Sequence, residues 1–364
     1  MFTTAQFRVF AGEPEERALA RPRHLLLDGD RTQAEAAYLD VIGAEPWLKA
    51  AWGEYFQLLR AEGRFDDALE LADRAIAHFE ADAFSGALKG AALVEMGRLR
   101  PAIKYLQASA ELDPDFGMVW HEMGYAAYRL GEFTHALLAL DRAFALDPRS
   151  GTLHLRGKIL RNSGQFLAAE VAFAGAAEAA EFAQQRTEAE RQISITRRYA
   201  QFGRKPAELS ERTQWMAEQG GSVLTAESGP APTDEDVVEG FVAICLQECW
   251  HFSTLMPVDG WAGWESLART LNTPLERELQ PSFGMVPLIV SRRTDATDPR
   301  WQAGNRAVTG TRSGLVFVLE QSSDEPAADI AGWLAGTPAG ALDLGQASAT
   351  LHHPESRLAG RRLQ

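Results

Sequence analysis

The chain has 364 residues, room for two or three domains, and 46% of them are hydrophobic, the share of an ordinary globular protein with material for a core. The formal charge is -14, divided as -6 up to Gly221 and -8 from Ser222 onward, so neither half is a basic module and nucleic acid is a poor match as partner. The first residues lack a cationic start followed by an apolar run, and no apolar run approaches the ~20 residues that span a bilayer, which argues against a secretion signal and a membrane segment.

Only two cysteines occur, Cys245 and Cys249, four apart on one expected helix. That geometry suits a disulfide poorly and points to a reducing compartment. The expectation is a soluble, cytoplasmic protein. Residues 1–14 read as a loosely held lead-in. Beyond them, small residues recur at a fixed interval. Gly29, Ala34 and Pro46 mark a unit at 15–48, whose first helix Pro22 is expected to degrade. Trp52, Gly63, Ala68 and Ala75 mark 49–82, with Glu80 where a closing proline would stand. Gly90, Gly97, Ala102 and Pro114 mark 83–116. Trp120, Gly124, Gly131, Ala136, Ala143 and Pro148 mark 117–150, and Gly157, Gly164, Ala169, Phe173 and Ala176 mark 150–183.

The residue types have a physical reason. Two antiparallel helices touch closely only where side chains are small, so Gly124 and Ala136 are expected to meet at a crossing. Gly131 suits the turn, where positive φ is wanted. Trp120, Met123, Leu140 and Phe144 recur at helical spacing and fill the space between helices. Pro148 closes the second helix. The pattern resembles the tetratricopeptide repeat, a two-helix unit of about 34 residues. The resemblance implies a mainly α fold, a right-handed α-solenoid of helix-turn-helix repeats over 15–201. Glu181–Gln201 acts as its capping helix, with Phe182 and Ile193 docked and Arg186, Arg191, Arg197 and Arg198 outward.

The resemblance also implies that the first helix of each unit lines a concave side. Counting Gly117 as position one places Met118, His121, Tyr125, Tyr128 and Arg129 inside. The next unit adds His154, Lys158, Arg161 and Asn162, and the unit at 49–82 adds Gln57 and Arg60. Phe84, Ala87, Ala91 and Glu95 form a mostly apolar floor. This surface is cationic and aromatic, suited to an acidic segment of a protein partner. Chaperone-binding members of the family use a two-carboxylate clamp of Lys and Asn. Lys158 and Asn162 match it, but Gly53, Gln57 and Ala91 stand elsewhere, so chaperone tails are not implied.

Residues 202–233 hold a short amphipathic piece at 206–220 followed by a run rich in Gly, Ser, Pro and acid, and read as a linker. A small α+β domain is expected over 234–350. Thr233 or Asp234 caps a helix running from about Glu235 to Phe252, buried on most sides. Helices follow at Trp261–Leu271 and near Leu275–Leu279. Strands are expected at Met285–Ser291 and Leu315–Glu320, a helix at Ala327–Leu334 and a short strand at Ala341–Leu344. The tail 351–364 reads as flexible. The connection Gly304–Gly314 reads as a Gly-rich hairpin loop; with Arg306, Arg312, Arg292 and Arg293 it makes a candidate anion site. Cys245, Cys249 and His251 with His352 and His353 fall short of a metal-site reading, and packing explains them better. Trp250, Trp261, Trp264 and Trp301 are expected in the core.

No cofactor, metal ligand set or catalytic residue emerges. The reading is a protein–protein adaptor or scaffold, leaning away from an enzyme; the alternative is an enzyme or anion-binding effector whose chemistry lies in the C-terminal domain, with the repeats recruiting substrate. Self-association through the tail is disfavoured, because Arg357, Arg361 and Arg362 have the wrong sign for a cationic groove. The oligomeric state is left open.

Overall fold

The computed structural model describes residues 13–80, 82–278, 285–295, 297–322, 328–335, 337, 339–359, 361 and 363, so most of the lead-in, the end of the Leu275–Leu279 segment and Arg362 lie outside it. The chain divides into two compact units at Ile193. No helix among the described residues is long and apolar enough to cross a membrane.

The first unit is five helical hairpins in succession: α1 (Glu13–Leu27) with α2 (Arg31–Ala44), α3 (Lys49–Ala61) with α4 (Phe65–His78), α5 (Ala83–Glu95) with α6 (Leu99–Leu112), α7 (Gly117–Arg129) with α8 (Phe133–Leu146), and α9 (Ser150–Asn162) with α10 (Phe166–Glu178). Every hairpin turns on a glycine with positive φ: Gly29, Gly63, Gly97, Gly131 and Gly164, at +82°, +71°, +73°, +79° and +81°. The amide after each glycine donates back to the last turn of the first helix, as in Glu132 N to Ala127 O at 2.9 Å and Gln165 N to Leu160 O at 2.8 Å. This is the Schellman closure, which needs a left-handed residue that only glycine adopts without cost.

Small residues set the crossings within each hairpin. A Cβ added at Gly124 would stand 2.7 Å from Leu140 Cγ and 3.2 Å from the Ala136 carbonyl oxygen. The two tryptophans at equivalent positions make the same bond: Trp52 Nε1 donates to Pro46 O at 2.9 Å, Trp120 Nε1 to Pro114 O at 2.8 Å. Leu58, Leu59, Leu71, Leu106, Leu140, Ile159 and Phe173 are buried between the helices, so the core runs from hairpin to hairpin. Pro22 lies inside a continuous α1 rather than degrading it. Phe84, Ala87 and Ala91, expected on the inner surface, are buried in that core. The long helix α11 (Ala183–Phe202) follows, with Ile193 packed on Leu160, Ala169 and Phe173.

The second unit carries α12 (Glu211–Gln219), β1 (Ser222–Val223), α13 (Asp234–Gln247), β2 (Thr254–Pro257), α14 (Gly263–Thr270), β3 (Pro287–Arg293), α15 (Pro299–Thr311), β4 (Leu315–Gln321), β5 (Ile330–Leu334) and α16 (Leu344–Leu351). The strands form one sheet in the order β1-β5-β4-β3-β2, and every pairing is parallel. Phe241 of α13, Trp264 of α14 and Leu351 of α16 share a core with Leu288, Val290 and Phe317. Trp301 and Val308 of α15 pack on Ile289, Val316 and Val318, the opposite phase of the same strands. Helices thus cover both faces, which is why β3 and β4 are apolar at successive positions rather than alternating.

Several sequence expectations are corrected here. The segment read as a linker holds α12 and the edge strand β1, whose residues are buried. Residues 304–311, read as a loop, belong to α15, started by Asp298 as cap and Pro299 at the first position. Ala327–Leu334, read as a helix, ends in β5. Leu275 makes an isolated parallel bridge with Leu255 instead of starting a helix, and Leu342 makes only an antiparallel bridge with Thr225. The tail is anchored: Leu358 and Leu363 are buried in the core, His251 N donates to Leu363 O at 2.9 Å, and the Arg357 and Arg361 side chains reach the buried Asp329 carboxylate at 3.3 and 2.6 Å. Arg198, expected to face outward, is buried and donates to the carbonyls of Ala217, Glu218 and Glu355. Thr233 caps α13 through a reciprocal bond pair with Asp236.

Candidate functional site

The polar side chains expected to line a groove stand on the first helices of the repeats, and their chemistry divides along the series. At one end stands Arg60, on α3. Its guanidinium donates to Glu95 at 2.7 Å, at the end of α5, and to Glu122 at 2.7 Å, on α7 two repeats away. Arg60 is therefore an internal strap and not a free cation of a groove. Glu122 is 3% exposed. Burial raises its pKa, but the charge and hydrogen bond of Arg60 together with His121 outweigh that and leave it below the usual carboxylate value. An equivalent acid, Glu54, lies two repeats earlier. It takes Arg23 Nε at 3.1 Å and the Tyr38 hydroxyl at 2.9 Å; here burial wins and the pKa is raised. Both glutamates escaped sequence reasoning. The signal was a carboxylate in the apolar phase of its helix, as Glu122 between Val119 and Ala126.

The other expected groove residues cluster on α7 and α9. Tyr128 stacks on Phe133 with ring centroids 6.2 Å apart, and Asn162 Nδ2 donates to the Tyr128 hydroxyl at 3.0 Å. Arg129 lies over the Tyr125 ring, 5.7 Å from its centroid. Arg161 lies over Phe173 and donates to Gln192 Oε1 at 2.6 Å. His154 meets the edge of the same ring. Burial, with Lys158 beside it, pushes the His154 imidazole down to about 4, so it is neutral at pH 7. Lys158 is half-buried, and burial together with the Arg161 charge lowers its pKa. Among the described residues no carboxylate comes within 4.0 Å of Lys158 or Arg129. In this last repeat the position of Glu122 and Glu54 is taken by Leu155.

Beside this strip, at the starts of the same helices, lies a cavity of about 580 Å³. Gln57, Arg60, His121, Glu122, Thr152 and Glu181 are among the residues that line it. His121 Nδ1 is hydrogen-bonded to Thr152 Oγ1 at 3.1 Å, and burial lowers its pKa.

The four arginines of the candidate anion site are not gathered into one place. Arg292 pairs with Asp234 at 2.8 Å and Arg293 with Glu320 at 3.0 Å, both at the end of β3. Arg306 is exposed on α15. Arg312 follows that helix in a left-handed conformation, two residues before Gly314, which sits against Pro287 at the start of β3. The length of a seven-residue strand, about 20 Å, separates the two ends. Cys245 is buried, which pushes its thiol up, whereas Cys249 is exposed. Trp264 and Trp301 are core residues; Trp250 and Trp261 are half-buried.

Helical hairpins closed by glycine and stacked through small residues define the first unit as an α-solenoid. The tetratricopeptide-repeat family matches at residues 87–116. The match covers one tetratricopeptide repeat, and the hairpins on either side of it share its glycine-closed two-helix form. The chain is similar to several solved structures. TTC0263, a thermophilic tetratricopeptide-repeat protein of Thermus thermophilus, shares 18% identity over 49% of this chain and 98% of its own, with a TM-score of 0.44. The type IV pilus biogenesis factor PilW shares 20% over 56% and 98%, with a TM-score of 0.38. YrrB, a repeat protein with an unusual peptide-binding site, shares 15% over 49% and 93%, with a TM-score of 0.32.

Proposed function

We propose that the first unit binds an acidic segment of a partner protein along the α7 and α9 surface, through Tyr125, Tyr128, Arg129, His154, Lys158, Arg161 and Asn162, with His121 at the cavity edge. The observation that carries the reading is Lys158. It is a half-buried ammonium whose pKa is lowered by burial and by the Arg161 charge against the opposing pull of Glu188, and no carboxylate among the described residues lies within 4.0 Å of it. A partner carboxylate would relieve that cost. Arg60 drops out of the surface, because its guanidinium is already taken.

The test uses the full chain and a fluorescein-labelled, blocked peptide of Gly and Ser with a single central Glu. Lys158→Glu with Arg161→Glu is expected to weaken binding on the order of tenfold or more, with the far-ultraviolet circular dichroism unchanged. Equal binding by the double variant overturns the proposal.

A further inference from the structure

The cavity beside the cationic strip has the opposite charge balance. Two guanidinium groups reach it, Arg60 and Arg149. Arg60 is held by Glu122 and Glu95, and Arg149 by Asp147. Glu181 lines the same space, and among the described residues no Lys or Arg comes within 4.0 Å of its carboxylate. Among the lining residues two cations therefore face three carboxylates, Glu122, Asp147 and Glu181. His121, its pKa lowered by burial, adds no positive charge at pH 7. Of the remaining polar lining, Gln185 Oε1 accepts from Glu181 N and Thr152 is bonded to His121, while the Gln57 carbonyl and the Ser150 hydroxyl offer further acceptor oxygens. At about 580 Å³ the space is of the size that holds ligands.

We infer that this cavity takes a basic side chain of the same partner segment whose carboxylate sits at Lys158. The inference rests on the groove reading above and deepens it: the recognised segment is zwitterionic, one acid and one base at a set separation. The separation follows from α9, which lines the cavity with Thr152 and carries Lys158 six residues later. Six residues of helix rise about 9 Å. An extended peptide covers that in two to three residues. The segment thus carries Lys or Arg two or three positions from Asp or Glu, and its direction is fixed by which end of α9 holds which charge.

The experiment uses the full chain and blocked Gly/Ser peptides, each bearing one Glu and one Lys separated by one to five positions in both orders, beside the Glu-only peptide. Affinities are read by fluorescence anisotropy at roughly 0.15 M salt. The paired peptides at separations of two and three, in one order, are expected to bind about threefold to tenfold tighter than the Glu-only peptide. Glu181→Lys, an exposed site where the fold tolerates charge, is expected to erase that ratio. A ratio near one at every separation, or a ratio that survives Glu181→Lys, overturns the inference. If the Glu-only peptide still responds to the Lys158/Arg161 double variant, the groove reading stands without it; if it does not respond, both fall.

Discussion

At Glu122 a single carboxylate joins two kinds of structure, since it lies in the apolar phase of α7 and yet holds both ends of the Arg60 fork. Removing its charge leaves Arg60 with Glu95 alone. Glu122→Gln is expected to cost about 1–3 kcal/mol, measured by urea denaturation at pH 7. The pH dependence has a definite sign. The folded pKa of Glu122 is lowered, so the unfolded chain binds the proton more readily, near an ordinary value of about 4.3. The stabilisation is fully present above that value and is lost as pH falls through the lower, folded one. The difference in stability between wild type and Glu122→Gln is therefore expected to be level from neutral pH down to about 5 and to shrink below about 4. A difference that grows on acidification contradicts the strap. Glu54, whose folded pKa is raised, works in the other direction, so the comparison must be made at the Glu122 site.

Among elements, the ones legible in the sequence were those whose residues answer a steric demand. Gly131 and its equivalents mark turns because only positive φ closes them, and Gly124 marks a crossing because Leu140 leaves no room for a methyl group. The misread elements had local chemistry that pointed elsewhere. In the stretch expected as a linker, β1 is two residues long, and its neighbour β5 comes from more than a hundred residues away; no local pattern announces it. For α15 the signal was present, Asp298 followed by Pro299, but the glycines later in the helix drew the reading toward a loop. The C-terminal segment looked loose for its Arg and Gly content, whereas Asp329 at the start of β5 gives two of those arginines a buried counter-charge. Asp329 also accepts Val316 N at 2.8 Å, fixing the start of β4. Asp329→Ala leaves two guanidinium groups without that partner and is expected to cost about 3–5 kcal/mol. Hydrogen exchange read by mass spectrometry should show faster exchange over 352–359. Unchanged exchange there would mean that Leu358 and Leu363 hold the segment by themselves.

For the whole molecule, composition gives a net charge of -14 and hides where the charges are spent. The groove residues were placed from repeat register alone, and register brought most of them onto α7 and α9. It could not say that Arg60 was already engaged, since its carboxylates lie 35 and 62 residues away. Nor could it separate the cationic strip from the carboxylate-lined cavity next to it. That division depends on which cations are left over, a property of pairing and not of type.

The reach of Arg60 across an intervening repeat has a consequence for how the array comes apart. Solenoids held only by adjacent contacts can fray from an end, one unit after another. A tether that skips a unit makes three of them melt together. Arg60→Ala should thus broaden the urea transition of the repeats and lower its m-value as well as its midpoint, because a chain of independent links yields piecemeal where a cross-braced one gives way at once.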